Sequence, residues 1–427
     1  MSNQIPQAAR PLPDRPSLRH LKDQAKDLLK TGHARSLTGA QLQIARQYGF
    51  LSWSKLKAHV DSLEEAGQLR DAIDRNDLSL VQSMMSRNPA LHKAPLGYAK
   101  DGPLTWVAEC RVPRLRPDRT RLAIAKWMIE AGSDVHQGGD APLMRAALDR
   151  ERIPMMELLV AHGANVNAAW HGDYPILFAA CETLNPMALR WLLEHGADPN
   201  CGSEAIWKSR GIPHPGTALD YLLGTYVRDP EVLATCIEIL LRAGGKSKHA
   251  SPAVLAVIRG GMTELVGLLD ANPGLIHHRF PELDFGTTAA RMLTLRGGTL
   301  LHVAAEFQNL DVARLLLDRG ADVNAPALLD EAGVGGQTPI FHAATQREDA
   351  GLPLVELLVE RGADLTVRAK LPGHYEVPGE VVECTPLDYA LLFPGDQGPT
   401  STYLRSRDLR ITEQKSGIAK SPLDIDR

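Results

Sequence analysis

Residues 299–325, TLLHVAAEFQNLDVARLLLDRGADVNA, read as two short helices followed by a turn. Thr299 can start a turn, and Ala304 and Ala305 are small enough to let a neighbouring helix come close. Leu315, Leu316 and Leu317 then form the last turns of an amphipathic helix. Gly320 can take a positive φ at that helix end without a Cβ penalty, and Asp322 and Asn324 suit the turn that follows.

Both halves recur along the chain. The helix ending returns as WMIEAGSDVH (127–136), LLVAHGANVN (158–167), WLLEHGADPN (191–200), ILLRAGGKSK (239–248) and LLVERGADLT (357–366), with a looser LLDANPGLIH at 268–277. The opening phrase returns as GPLTWVA (102–108), APLMRAA (141–147), YPILFAA (174–180), TALDYLL (217–223), TPIFHAA (338–344) and TPLDYAL (385–391). A Pro in this phrase suits the first position of a helix. One such unit cannot bury its apolar face alone, whereas a stack of units shares a continuous core.

These phrases resemble the ankyrin repeat. The resemblance implies an all-α solenoid of helix-turn-helix units, and a class that generally recognises other proteins through hairpin tips and inner helices. Counting a degenerate first unit, LRDAIDRNDLSLVQSMMSRNPALH (69–92), we expect about nine units over 67–395, behind a helical N-terminal segment (1–66) and before a C-terminal cap and polar tail (396–427). From about Ser406 the chain lacks helical periodicity, and the tail is expected to fray. Only one interval between successive phrases, Pro142 to Pro175, equals the 33 residues of an ankyrin repeat. The others are stretched by insertions. Gly196 to Ala218 spans 22 positions, Gly320 to Pro339 spans 19 and Gly362 to Pro386 spans 24, with a similar extension after His278. Four long hairpin fingers should therefore project from one edge.

The N-terminal segment carries a Pro-rich lead and three short amphipathic helical patterns, with formal charge +4 against −8 for the rest. A helix-turn-helix frame starting at Gln41 places Ala45 and Gly49 well but puts Lys55 where a buried residue is wanted. Its L-K-x-Q-A-K-x-L-L helix and I-A-R-x-Y-G-F-x-S-W phrase resemble lead segments of uncharacterised bacterial ankyrin proteins. A helical cap is the expected role, and DNA-linked regulation the alternative.

Composition narrows the class. The 427 residues include 44% hydrophobic and 23% charged residues, with net charge −4, which suits an ordinary folded chain. No stretch approaches the roughly 20 apolar residues of a membrane span, and the start shows no secretory signal. Five scattered Cys fit a reducing cytoplasm and argue against a disulfide framework or thiolate zinc site.

No nucleotide-binding or hydrolase motif is present, and we assign no catalytic, cofactor or metal residue. His302 occupies the family's T-P-L-H position, which the resemblance implies ties adjacent turns together. The rings after it in the phrase, among them Phe178, Tyr221 and Tyr389, are expected in the core. Partner-binding candidates come from the insertions and hairpins: Trp170, His171, Trp207, His214, His277 and His278. Phe285, His374 and Tyr375 belong to the same group. Glu182, Arg259 and Glu306 follow the phrase and should line the inner groove. Arginines in the Arg111–Arg121 loop could hold an anionic ligand. The leading expectation is a cytoplasmic scaffold holding another protein, with nucleic acid an improbable partner. An enzyme or small-molecule binder with His277, His278 or His374 in a pocket under the fingers is the alternative from another class.

Overall fold

The computed structural model describes residues 10–13, 16–97, 99–108, 119–149, 152–209, 215–225, 229–283, 293–374, 376–377, 379–393 and 398–416. The chain divides into two units, residues 1–146 with 151–165, and residues 147–150 with 166–427.

In the first unit, three helices open the fold: Leu18–Lys30, Leu37–Gln47 and Trp53–Asp74. Each begins at a serine whose Oγ accepts a backbone N–H three residues on: Ser17 from His20, Ser36 from Gly39 and Ser52 from Lys55. They bury Leu21, Ala25, Ile44, Ala45, Leu56 and Val60 together. Trp53–Asp74 is one 22-residue helix, so the expected segment boundary at residue 66 falls inside it. Gly67 does not break it, because Ala66, Leu69, Ala72 and Ile73 continue the buried stripe. The helix then pairs with Leu78–Arg87, which Asp77 caps through Leu80 N–H at 2.9 Å. Pairs Pro103–Ala108 with Arg119–Glu130 and Ala141–Ala147 with Ile153–Ala161 follow.

The second unit repeats the theme. Its pairs are Ile176–Glu182 with Pro186–Glu194, Ala218–Leu223 with Pro230–Arg242, and Pro252–Arg259 with Met262–Ala271. Leu300–Glu306 with Leu310–Asp318, Pro339–Ala344 with Leu352–Glu360, and Pro386–Ala390 with Pro399–Ser416 complete it. First helices pack on first helices, as with Leu300–Glu306 between Pro252–Arg259 and Pro339–Ala344. The Ala pairs make this approach possible: Ala304 and Ala305 are fully buried. Gly196, Gly320 and Gly362 take φ of 90°, 89° and 91°, the left-handed backbone that ends each second helix.

Within the second unit, side chains stitch adjacent repeats together. Asn324 Nδ2 donates to Gly362 O at 3.0 Å while its Oδ1 accepts from Asp364 N at 2.8 Å. Asn167 makes the same pair with Gly196 and Asp198, and Asn200 with Gly244 and Lys246. Each asparagine thus satisfies one backbone acceptor and one donor of the next turn.

The chain is mostly helical rather than purely so. The hairpin after Asn167 forms a two-residue antiparallel ladder, Ala169–Trp170 with Tyr174–Pro175. The insertion before Thr385 is long enough for a four-residue one, Ala369–Pro372 with Val381–Cys384. The tail also differs from expectation, since the last helix runs to Ser416. Asp349 Oδ1 accepts Thr400 N–H at 3.0 Å near its start, and Leu404 is 1% exposed, so capping and packing anchor its first turns. No helix among the described residues is long and apolar enough to cross a membrane.

Candidate partner-binding surfaces

Three inserted fingers of the second unit join through their backbones. Phe280 N donates to Gly298 O at 3.0 Å, closing the first. Ala327 N donates to Gln337 O at 2.8 Å, closing the second. The Ala369–Cys384 hairpin is the third. Leu328 N donates to Gly297 O (3.1 Å), and Gly335 N to Lys370 O (2.7 Å), so each finger hydrogen-bonds to the next. The Gln337 amide adds a bond to Thr294 O at 3.1 Å. Gly297 (φ 70°) and Gly335 (φ 126°) are needed there, because a Cβ at either would collide with Leu328.

A cleft of about 670 Å³ opens between these fingers. Leu293 and Leu371 form its buried floor at 1% exposure each, while Leu328 and Leu329 stand at its rim, 41% and 63% exposed. Arg296, Asp330 and Glu331 give it a charged margin. Asp330 also shapes the tip of its finger, its Oδ1 accepting from Ala332 N and Val334 N. The sequence singled out the interval Gly320 to Pro339 but not these leucines, since attention to rings passes over a finger without any. The signal was present in the paired leucines of ALLDEAGVGG (327–336), apolar residues where a loop is expected to be polar.

The second surface surrounds Glu182. Its Oε2 accepts from the Tyr174 hydroxyl at 2.6 Å and from the Tyr221 hydroxyl at 3.2 Å. Burial, then the neighbouring Tyr221 and Glu182, push the Tyr174 hydroxyl well above its usual range, so it stays a donor. Tyr221 stacks on Phe178 at 4.2 Å, and Trp170 meets Tyr174 edge-on at 6.0 Å. His171 is exposed at the hairpin tip, with φ 51°, and packs edge-on against Trp170 at 4.9 Å. Three of the candidates, Trp170, His171 and Glu182, thus come together, with Tyr174 and Tyr221 added by the fold.

Other candidates fall elsewhere. Trp207 is corrected to an interior residue: it is 2% exposed, on helix Glu204–Ser209, with its ring 5.9 Å from that of His249. Its ring packs against Gly216, which leaves room that a Cβ would take. Glu306 is likewise interior at 0% exposure, its carboxylate bonded to His342 Nδ1 at 2.8 Å. Cys181 (0%) and Leu148 (9%), which also directly follow an Ala pair, face inward too. Arg259 is partly exposed but bracketed by Glu238 and Glu264. His277 and His278 are exposed, and His278 meets Phe280 edge-on at 4.6 Å. His374 stacks on Phe393 at 5.8 Å and lies 3.8 Å from Glu376. None of these three histidines is among the described residues lining the cleft. His214, Phe285 and Tyr375 lie outside the described residues, as do residues 109–118 of the arginine-rich loop.

An anion site on that loop gains no support from Arg121, which is 4% exposed with Nη2 3.8 Å from Asp74 Oδ1. Burial, then Arg152, lower its pKa, while Asp74 opposes them. Lys55 is exposed, so the helix-turn-helix frame lacks its buried position. No group of three or more His, Cys, Asp or Glu among the described residues is placed to hold a metal ion.

His302 performs the tie expected of it. Its Nδ1 accepts from Thr299 N at 3.0 Å, and its Nε2–H donates to Gln337 O at 3.0 Å. Burial, His342 and Arg279 push its pKa down to about 3, against the opposing bond to Gln337. Asp220 takes the same position in its unit, accepting from Thr217 N (2.8 Å), Lys248 N (3.0 Å) and Ser247 Oγ.

The comparisons agree with this architecture. A family model described as ankyrin repeats (3 copies) matches residues 118–203 and 233–369, together just over half of the chain. A putative ankyrin repeat protein of fowlpox virus (strain NVSL) is 22% identical over 294 residues, covering 65% of this chain and 44% of that protein. One of Acanthamoeba polyphaga mimivirus is 31% identical over 136 residues, covering 31% of this chain and 16% of that protein. The chain therefore spans less than half the length of the curated relatives it matches, and both are viral rather than bacterial. The crystal structure of the human ASB11 ankyrin repeat domain matches with 27% identity and a TM-score of 0.33, over 62% of this chain and 97% of that one. Repeats of this kind are generally protein–protein interaction modules and typically non-enzymatic scaffolds. On the family match and on the helix pairs with their repeated turns, the chain belongs to the ankyrin repeat family.

Proposed function

We propose that this chain is a recognition module that holds another protein on the surface formed by its inserted fingers. The carrying observation is the joined cleft, with Leu328 and Leu329 exposed at its rim and Leu293 and Leu371 beneath. Exposed paired leucines over an apolar floor are costly in water and favour an apolar partner segment. The charged margin supplies orientation rather than bulk affinity. The helix pairs are read as nine repeats over 67–395, behind the helical lead segment and closed by the C-terminal helix. The lead segment's resemblance supports a bacterial source, and the scattered cysteines support a cytoplasmic location.

The test is affinity capture from the source cell with the full chain and with Leu329→Asp and Leu328→Ser. Both residues are exposed, so the variants should fold as the parent does. Loss of the captured protein supports the reading, and an unchanged set of partners with both variants refutes it.

A further inference from the structure

Glu182 places a carboxyl group in a half-buried aromatic setting, two positions after the Ala pair of its phrase. Both tyrosine hydroxyls donate to the same oxygen, Oε2. They fix the carboxylate in place, yet neutral hydroxyls do not cancel its charge. No Lys, Arg or His among the described residues pairs with Glu182, and its Oε1 has no hydrogen-bond partner among them. The neighbouring hairpin turns tightly at His171 and Gly172 (φ 82°), bringing Trp170 beside Tyr174. A preset carboxylate oxygen beside aromatic rings matches a cationic side chain in charge, and in the attraction of a cation to a ring face.

We propose that Glu182, positioned by Tyr174 and Tyr221, receives an arginine or lysine side chain from an extended segment of the partner protein. The cationic head bonds to Oε1, and its aliphatic stem lies along the aromatic cluster of Trp170 and Tyr174. This assignment rests on reading the chain as a partner-recognition module, but at a surface separate from the finger cleft.

Random peptides displayed against the full chain test it, with the enriched sequences synthesised and their affinities measured by fluorescence polarisation. One Arg or Lys should recur, and replacing it by Ala should weaken binding about tenfold, as expected for one charge-assisted hydrogen bond. In Glu182→Gln that difference should vanish, giving a coupling in the double-mutant cycle. Gln retains an acceptor for both tyrosines, so its melting temperature should match the parent's. Tyr174→Phe keeps the ring, removes one positioning donor and should reduce the same preference in part. Peptides that carry no recurring basic residue, or that bind Glu182→Gln as tightly as the parent, overturn the inference while leaving the recognition reading intact. Failure to enrich any peptide overturns both.

Discussion

His342 Nδ1 lies 2.8 Å from Glu306 Oε2 with both side chains fully buried, so a polar pair joins two adjacent units inside their shared core. Removing one partner leaves the other desolvated without its bond. Glu306→Ala should therefore destabilise the fold by about 1–3 kcal/mol, measured as a shift in the urea midpoint. A loss well below that range would mean that the pair is not held as described.

The buried His302 makes a prediction about pH. Its pKa is about 3 when folded, against an ordinary value of 6.5, so the unfolded chain binds the proton more readily. Its contribution to stability is complete above pH 6.5 and declines as pH falls from there towards 3, by up to about 1.4 kcal/mol per pH unit. Urea melts at pH 7 and pH 5 should separate the parent from His302→Gln, which lacks this titration. Equal pH slopes in the two proteins would contradict the assignment.

The two polar ties at unit junctions should differ in weight. Asn324 is half-buried, and Asn324→Ala is expected to cost about 1 kcal/mol. Asp220 is 1% exposed and receives several donors, so Asp220→Ala should cost clearly more, about 2–3 kcal/mol. Paired denaturation curves give the order, and reversal of that order would refute it.

Trp207 and Leu329 both lie in insertions but should behave in opposite ways. Trp207→Ala removes a ring that is 2% exposed and should cost about 3–5 kcal/mol. Leu329→Ala removes a side chain that is 63% exposed and should stay within about 0.5 kcal/mol of the parent. Thermal melts of the two variants check both values.

Much of the framework was legible because each unit writes its own local grammar. A helix-ending glycine, a turn of Asp and Asn, and an Ala pair act over a few residues, and their chemistry is the same wherever they recur. The tie made by His302 could likewise be anticipated from its phrase. The role of Asn324 was only half visible, since its identity suits a turn while its bonds reach Gly362 and Asp364 of the next unit. Burial in the insertions was not legible at all. Trp207 and His277 look alike as candidates along the chain, yet one is packed inward and the other is exposed.

The sequence by itself determined the family, the helix-turn-helix repetition and the positions of the insertions, because periodicity and turn chemistry are local properties. Only the tertiary structure decided which side chains of the insertions are exposed and which are packed inward. It joined Leu328 to Gly297 and Gly335 to Lys370, residues from three fingers. It also turned Tyr174 and Tyr221, 47 positions apart, onto one oxygen of Glu182. Such groupings depend on how insertions fold back on neighbouring units, through backbone hydrogen bonds and burial that no local pattern encodes.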